Sequence, residues 1–452
     1  MKKMRTLAAT VLSVSMCAGL AACGGSSANE NTTAAAKADN TTAVAAESPA
    51  PDDEPIVLRV LSAQQAENPE GDIERSISDA YTALHPNVTF EYISVKSSDF
   101  NQKLTALATS GDMPDIFQNS FNMLPSSVDL DVCEDLTTLF EPEFLDKFEP
   151  HILKEGYYGD RLLYIPTQSM PAALLYRADW FEEKGLQAPE TWDDLAAAAE
   201  KLTEDTDGDG NIDRYGFAMI GTKDSSAGTR FQLIMRSFGC REFYEEDGVW
   251  KTDVGNDDFK KAIQTFVDLD LVHHAAQPGV IETSYSEAAN LVVANKAAMM
   301  LTGSNALGTI YSQNPDLKGK LASCAVPKGT EHVSSPRSLG YSVYNKGEHK
   351  EVCKDYLKFC MEKENNLKWT EISYRIPVIQ DYYDEPILQN EDTIGFVDAI
   401  QYSYEYPQFL GLTKSYEIIG SVYQSLLTGS SDIDTASEKA KAEMEELIKS
   451  YE

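Results

Sequence analysis

Two hydrophobic periods take turns along this chain, and their order outlines a fold. Residues 58–61 read as a short strand, and over 72–85 the residues Ile73, Ile77, Tyr81 and Leu84 fall at helical spacing until Pro86 stops the run. Residues 88–93 return to a strand pattern. Ser98 is placed to cap a helix carrying Phe100, Leu104 and Leu107, Gly111 ends it, and Pro114-Asp115-Ile116-Phe117 reads as the next buried strand. Strand, helix, strand, helix, strand in this order predicts a parallel sheet in an α/β protein.

A second region opens with Leu163-Tyr164-Ile165-Pro166 and continues through Ala173-Leu174-Leu175-Tyr176. Thr191 is placed to cap an Ala-rich helix, with Asp193 and Asp194 favouring the dipole of its first turn. Residues 296–301 form a strand running into Gly303-Ser304-Asn305. Val352, Tyr356, Phe359 and Cys360 share one face of a helix over 350–363, and Ala440, Met444, Leu447 and Tyr451 share one face of the last helix. No fixed-period repeat interrupts this alternation. The stretch from Ile56 to Glu452 exceeds what one hydrophobic core usually supports, which predicts two lobes.

The amino terminus follows different rules. Basic Lys2, Lys3 and Arg5 precede an uncharged run from Thr6 to Ala22, which is too short to span a bilayer comfortably and has the layout of a secretory signal. Its end, Leu20-Ala21-Ala22-Cys23-Gly24, resembles the lipobox of bacterial lipoproteins, which implies lipid attachment at Cys23 after removal of residues 1–22. Two acyl chains are a stable anchor. Residues 23–55, rich in Ala, Ser, Thr, Asn and Pro, lack the apolar surface to order themselves and read as a flexible tether.

Charge narrows the partners. A formal net charge of -34, without a basic run outside the signal, argues against nucleic acid as a partner and against anionic polymers as ligands. Beyond Cys17 and Cys23, the cysteines 133, 240, 324, 353 and 360 are odd in number and irregular in spacing, so they read as small buried apolar residues rather than a disulfide framework.

Four segments, in order, resemble the family 1 extracellular solute-binding proteins, the maltose-binding-protein-like receptors of ABC sugar importers. They are Phe100-Asn101-Gln102-Lys103-Leu104 through Ser110-Gly111-Asp112-Met113-Pro114-Asp115-Ile116; Tyr164-Ile165-Pro166 with Leu175-Tyr176-Arg177-Ala178-Asp179-Trp180-Phe181 and Pro189 to Leu195; Asn295-Lys296-Ala297-Ala298-Met299-Met300 with Gly303-Ser304; and 350–359 with Tyr374-Arg375-Ile376-Pro377-Val378. The resemblance implies a two-lobed, type II periplasmic-binding-protein-like fold, its ligand cleft lying between lobes joined by crossing hinge strands. On that basis the first lobe is expected to hold 56–165 plus 300–345, and the second 166–299 plus 346–452. It also implies a monomeric, lipid-anchored, extracellular receptor, not an enzyme, that takes a carbohydrate, preferably an oligosaccharide, to membrane permease subunits. Two departures stand out: the family's Gly before Lys296 is Asn295, and the Trp that often follows Gly-Ser is Asn305. The alternatives are a lipid-anchored carbohydrate-active enzyme and a receptor for a non-sugar solute.

A sugar cleft wants aromatic faces flanked by polar side chains, and open α/β sheets bind ligands beyond the carboxyl ends of their strands. The candidates are therefore Gln64, Gln65 and Glu67 after the first strand; Asn119 and Phe121 after the third; Gln168 and Tyr176 in the crossing segment; Ser304 and Asn305 in the Gly-Ser turn; Tyr374 and Arg375; and Tyr285. Asp205, Asp207, Asp209, Asn211 and Asp213 match the first nine positions of a calcium loop, but position 12 is Gly216, so the segment reads equally as a tight turn or a weak structural calcium site. No cofactor is required.

Overall fold

The computed structural model describes residues 54–451; the expected signal, Cys23 and the tether through residue 53 lie outside the described residues. Two sheets organise the rest. The first orders its strands Val88–Ser94, Ile56–Ser62, Ile116–Ser120, Leu339–Val343 and Ile165–Gln168. The first three are parallel, with Leu58 opposite Phe90 and Val60 opposite Ile116, whereas Leu339–Val343 runs antiparallel to both its neighbours. The second sheet orders Leu321–Cys324, Ala172–Arg177, Ala297–Gly303 and Tyr215–Phe217 and is mixed.

Period-two side-chain alternation distributes these strands among three packed layers. Leu58, Val60 and Ile116 face one cluster while Leu61 and Phe117 face another with Phe100 and Leu104. In the second sheet Leu174, Met299 and Leu301 bury with Trp192, Phe231 and Phe266, whereas Leu175 and Met300 bury on the opposite face with Leu307 and Phe396. Each fully buried Leu, Ile or Phe contributes roughly 1.5–3 kcal/mol relative to exposure.

Several local features depart from the sequence-based reading. Residues Ser97–Asp99 form a separate 3-10 turn, so Ser98 does not cap the next helix; Phe100–Ser110 begins after Asp99 with no side-chain cap bond, and ends at Gly111 in the left-handed region, φ 73°. Thr191 does cap Trp192–Leu202, in a reciprocal box with Asp194. The expected 350–363 helix is two, Lys350–Met361 and Lys363–Ser373, broken where Glu362 turns extended. Asn295 occupies the family's glycine position with φ 57°, a conformation Asn tolerates, and its Oδ1 accepts from Arg177 Nη1 at 2.7 Å.

The lobe boundaries also move. Ala297–Gly303 and Leu321–Cys324, expected largely with the first lobe, pair with Ala172–Arg177 in the second sheet, while residues 166–168 stay in the first. Lys350–Met361 and Lys363–Ser373, expected in the second lobe, pack on Glu70–Leu84 and the first sheet, where Tyr356 meets Tyr81 edge to face at 5.3 Å. The physical reason is that Tyr356, Leu357, Cys360, Met361 and Trp369 bury in one cluster with Leu58, Val60 and Ile116 of the first sheet, which strand spacing alone cannot reveal.

Chain crosses between the sheets within a few residues. Met170 N and Ser169 Oγ both donate to the Pro336 carbonyl, at 3.0 and 2.6 Å, Ala172 N donates to Ser335 O at 3.1 Å, and Ser334 Oγ donates to Ala172 O at 2.8 Å. Beside this joint, Gly340 lies where a Cβ would sit 1.9 Å from the Ile165 carbonyl oxygen, at the irregularity between Leu339 and Gly340. Gly340→Ala is expected to destabilise the protein by about 1–3 kcal/mol, as overpacking does. Urea unfolding measures this, and a wild-type midpoint for the variant would refute the close approach.

Candidate ligand cleft

A cavity of about 540 Å³ opens where residues from both lobes meet. Phe121, just past the Ile116–Ser120 strand, and Pro150, His151, Lys154, Glu155 and Tyr157 come from first-lobe elements; Ser403, Tyr404, Tyr406 and Gln408 come from the loop leading to Leu412–Leu427. Tyr406 packs into the second core, and its ring stacks on Phe121 at 3.9 Å between centroids. Tyr404 adds a tilted ring at 5.0 Å from Tyr406. At the mouth, Lys154 Nζ and Glu405 Oε1 pair across 3.4 Å, with both side chains mostly exposed and the bond correspondingly weak. A second groove, of about 560 Å³, lies among Glu141, Phe144, Lys358 and Tyr382 and draws on no strand of the second sheet.

Glu155 anchors one wall. Its carboxylate accepts from Ser338 N at 2.6 Å and Arg337 N at 3.2 Å, fastening the crossing segment to the first lobe. Burial pushes its pKa up to about 7, against the lowering effect of those hydrogen bonds.

Next to the joint a polar network runs through the first lobe. Gln64 Oε1 accepts from Gln168 Nε2 at 3.0 Å and from Arg375 Nη1 at 2.9 Å, and Arg375 Nη1 also donates to Gln168 Oε1. Arg375 Nη2 pairs with Glu70 at 3.0 Å. Gln64 Nε2 donates to Tyr341 Oη at 3.3 Å, and Tyr341 donates to the buried Glu74, whose pKa burial raises. This constellation leaves only Arg375 Nε among its named groups without a partner, and it holds the end of the first strand, the crossing strand and the Lys363–Ser373 helix together.

The sequence candidates therefore separate. Gln64, Gln168 and Arg375 converge on this network, Phe121 lines the cavity, and Tyr285 stacks beneath the Arg230 guanidinium at 4.1 Å while its hydroxyl bonds Thr302 at 2.8 Å. Ser304 is buried with no partner for its hydroxyl, and Asn305 precedes the Ala306–Gln313 helix without capping it. Gln65 donates to Glu74 at 2.6 Å, and the exposed Glu67 accepts from Ser97 at 3.0 Å. Asn119 spends its amide on Ser127 and Ser342 inside the first lobe. Tyr176 packs on Phe181 four residues along its strand from the joint, and Tyr374, at φ 55°, packs on Tyr311.

Glu155, Tyr404 and Tyr406 escaped the sequence reading, although the alternating tyrosines 402, 404 and 406 before Pro407 were a visible signal.

The aspartate loop stands apart from these residues. The carboxylates of Asp205, Asp207 and Asp209 lie within 4.8 Å of one another. Asp205 already accepts from Gly208 N at 2.7 Å and Gly210 N at 2.8 Å, and Asp213 binds Thr206, interactions that hold both carboxyls below their ordinary range. Gly216 sits in a strand where a Cβ would strike Ala199, so no side chain can serve as the bidentate twelfth ligand. The fit to calcium is partial.

Two sheets, a short joint and an aromatic-walled cavity between them define a two-lobed binding protein. The comparisons specify it. The model for bacterial extracellular solute-binding proteins matches residues 66–367, and the chain belongs to that family, whose members bind solutes and are not enzymes. A lactose-binding protein of Rhizobium radiobacter is 26% identical over 292 residues, 60% of this chain and 62% of that protein, and the lipoprotein LipO of Bacillus subtilis is 25% identical over 213 residues, 45% and 42% of the two chains. The chain thus spans about two fifths to three fifths of the length of these relatives. Among solved structures, the GacH receptor of Streptomyces glaucescens GLA.O, determined unliganded and with acarbose, superposes with a TM-score of 0.74 at 18% identity, covering 88% of this chain and all of that one. Maltose-bound MalE3 of T. maritima gives 0.72 at 18% identity, covering 87% of this chain and 100% of its own. These structures establish the fold as the two-lobed type II arrangement. No helix among the described residues is long and apolar enough to cross a membrane.

Two measurements test the site. Glu155 has a folded pKa near 7 against an ordinary 4.5, so it binds its proton more tightly when folded; stability is full below pH 4.5 and falls as pH rises toward 7. Glu155→Gln is expected to remove that share of the fall, read as the difference between the two proteins' unfolding free energies at pH 4.5 and 7.5; parallel profiles would refute it. For the loop, saturating Ca²⁺ raises the melting temperature in the parent and not in Asp207→Asn if the carboxylates hold the ion. An unmoved parent assigns the loop to its backbone turns.

Proposed function

We propose that this chain is a lipid-anchored extracellular receptor that captures a carbohydrate, an oligosaccharide by preference, and delivers it to the permease of an ABC importer by closure of its lobes. The observation that carries this reading is the cavity walled by Phe121, Tyr404 and Tyr406 at the meeting of the lobes. Sugar rings offer apolar C–H faces edged by hydroxyls, and this wall offers aromatic faces beside Glu155, Ser403 and Gln408. The lactose-binding relative and a multiple sugar-binding protein of Streptococcus mutans, 22% identical over 278 residues, support the solute class.

Closure follows from the joint: ligand touching both walls favours the closed state by its extra contacts there, and the permease reads that state. Attachment at Cys23, supported by the lipobox-like sequence and by the lipoprotein relative, keeps the receptor near its transporter and raises its effective concentration.

Isothermal calorimetry with a panel of mono- and oligosaccharides tests the reading, with at least one ligand expected to bind. Phe121→Ala is expected to weaken that ligand about tenfold, or about 1.4 kcal/mol. Silence across the panel, or undiminished affinity in the variant, would overturn it.

A further inference from the structure

One ring of the cavity wall is held by a charge pair that lies outside the cavity. Tyr404 lines the cavity beside Tyr406. The Arg236 guanidinium lies over its ring, 4.7 Å from the centroid, and Arg236 Nε donates to Glu242 Oε2 at 2.8 Å. Gln232 Nε2 donates to the other oxygen of that carboxylate at 2.9 Å, and Gln232 Oε1 accepts long bonds from the hydroxyls of Tyr404, at 3.5 Å, and Tyr416, at 3.4 Å. These contacts close a circuit: Arg236 holds Tyr404 by its ring, Gln232 holds it by its hydroxyl, and both run back to Glu242. None of Gln232, Arg236 and Glu242 lines the cavity.

Local structure builds the circuit. Gln232 and Arg236 stand four residues apart on one face of the Ser225–Ser237 helix. Gly239, in the left-handed region at φ 81°, ends that helix with bonds from Gly239 N to Arg236 O and from Cys240 N to Met235 O, and the chain returns with Glu242 against the helix it has just left. On the same helix Gly228 admits Tyr416, since a Cβ there would sit 2.3 Å from the Tyr416 ring.

Such a circuit is a costly thing to bury. Glu242 is fully buried, Gln232 is nearly so, and the Arg236 side chain keeps little exposure, so the charges have lost most of their water. A buried ion pair often contributes no more stability than apolar side chains of the same volume, and its best use is to fix one geometry among several. The attraction between a cation and a ring face supplies that geometry.

We infer that Gln232, Arg236 and Glu242 are positioning residues for ligand capture: without touching the ligand, they fix the angle at which the Tyr404 ring meets a saccharide. This rests on the carbohydrate-capture reading and deepens it, adding a layer of residues behind the wall. A ring free to turn loses that freedom when a sugar stacks on it, whereas a ring already held binds without the loss.

A double-mutant cycle on the full chain tests the inference, by calorimetry with maltotetraose, or with the tightest binder of the saccharide panel where maltotetraose is silent. Removing Arg236 alone would strand a buried carboxylate, so the pair is replaced together, Arg236→Met with Glu242→Gln, and the melting temperature is expected to stay near the parent's. Binding is expected to weaken about fivefold, within the range that contacting side chains return in such cycles. In a Tyr404→Ala background the same replacement is expected to change affinity by less than about twofold. Arg236→Lys, which keeps a cation opposite Glu242, is expected to bind more tightly than the pair variant. A second cycle, Gln232→Met against Tyr404→Phe, cuts the circuit at the hydroxyl without altering charge and serves where the pair variant does not fold; its two losses are expected not to add. Undiminished binding in the variants overturns the inference, and so do equal losses with and without Tyr404, which mark a general effect on the fold; both leave carbohydrate capture standing. Silence toward every sugar overturns both readings.

Discussion

The two sheets are held to one another by hydrogen bonds between two strips of backbone, residues 169–172 and 334–336, and every other feature of the cleft is positioned from there. Ile165–Gln168 belongs to the first sheet and Ala172–Arg177 to the second, so only three residues separate the lobes at this crossing. Their peptide groups cannot be left bare in a buried joint. The Ser169, Ser334 and backbone bonds to Pro336, Ser335 and Ala172 meet that demand, and Ser169 pairs with Ile376 on the other side. A joint so short and so fully bonded leaves few backbone dihedrals free.

Charge is buried in this fold in two ways. Arg375 is buried with its two Nη groups on Glu70, Gln64 and Gln168 and its guanidinium 5.4 Å from the Trp369 ring, while its Nε has no partner. Such a network specifies which strand and helix ends come together. Arg230 is buried over the Tyr285 ring, with the Ser226 carbonyl and the Thr229 hydroxyl as its polar partners.

Aromatic packing links the two lobes. Phe121 leaves the first sheet yet buries with the second core through Tyr406, so the same ring that walls the cavity also couples the lobes. Tyr406 is tied by its hydroxyl to Ser335 in the crossing strip at 2.7 Å. The aromatic wall and the joint are therefore in direct contact.

Local periodicity carried the parts of this protein that depend on near neighbours in sequence. The strand-helix alternation of the first three strands, the Gly111 stop and the Thr191 cap were all legible, because each rests on the stereochemistry of a few adjacent residues. So was the two-lobe architecture, through chain length and four ordered segments of family resemblance. Gln64, Gln168 and Phe121 were legible as polar or aromatic residues at strand ends, and Arg375 through the fourth family-like segment, though Gln64, Gln168 and Arg375 serve an internal network. Tertiary structure alone decided the rest: which sheet takes Leu321–Cys324, which elements Lys350–Met361 packs against, and that Arg230 is buried over the Tyr285 ring. A sequence shows that a residue is charged; only packing removes the water and the counter-ions that make the charge unremarkable.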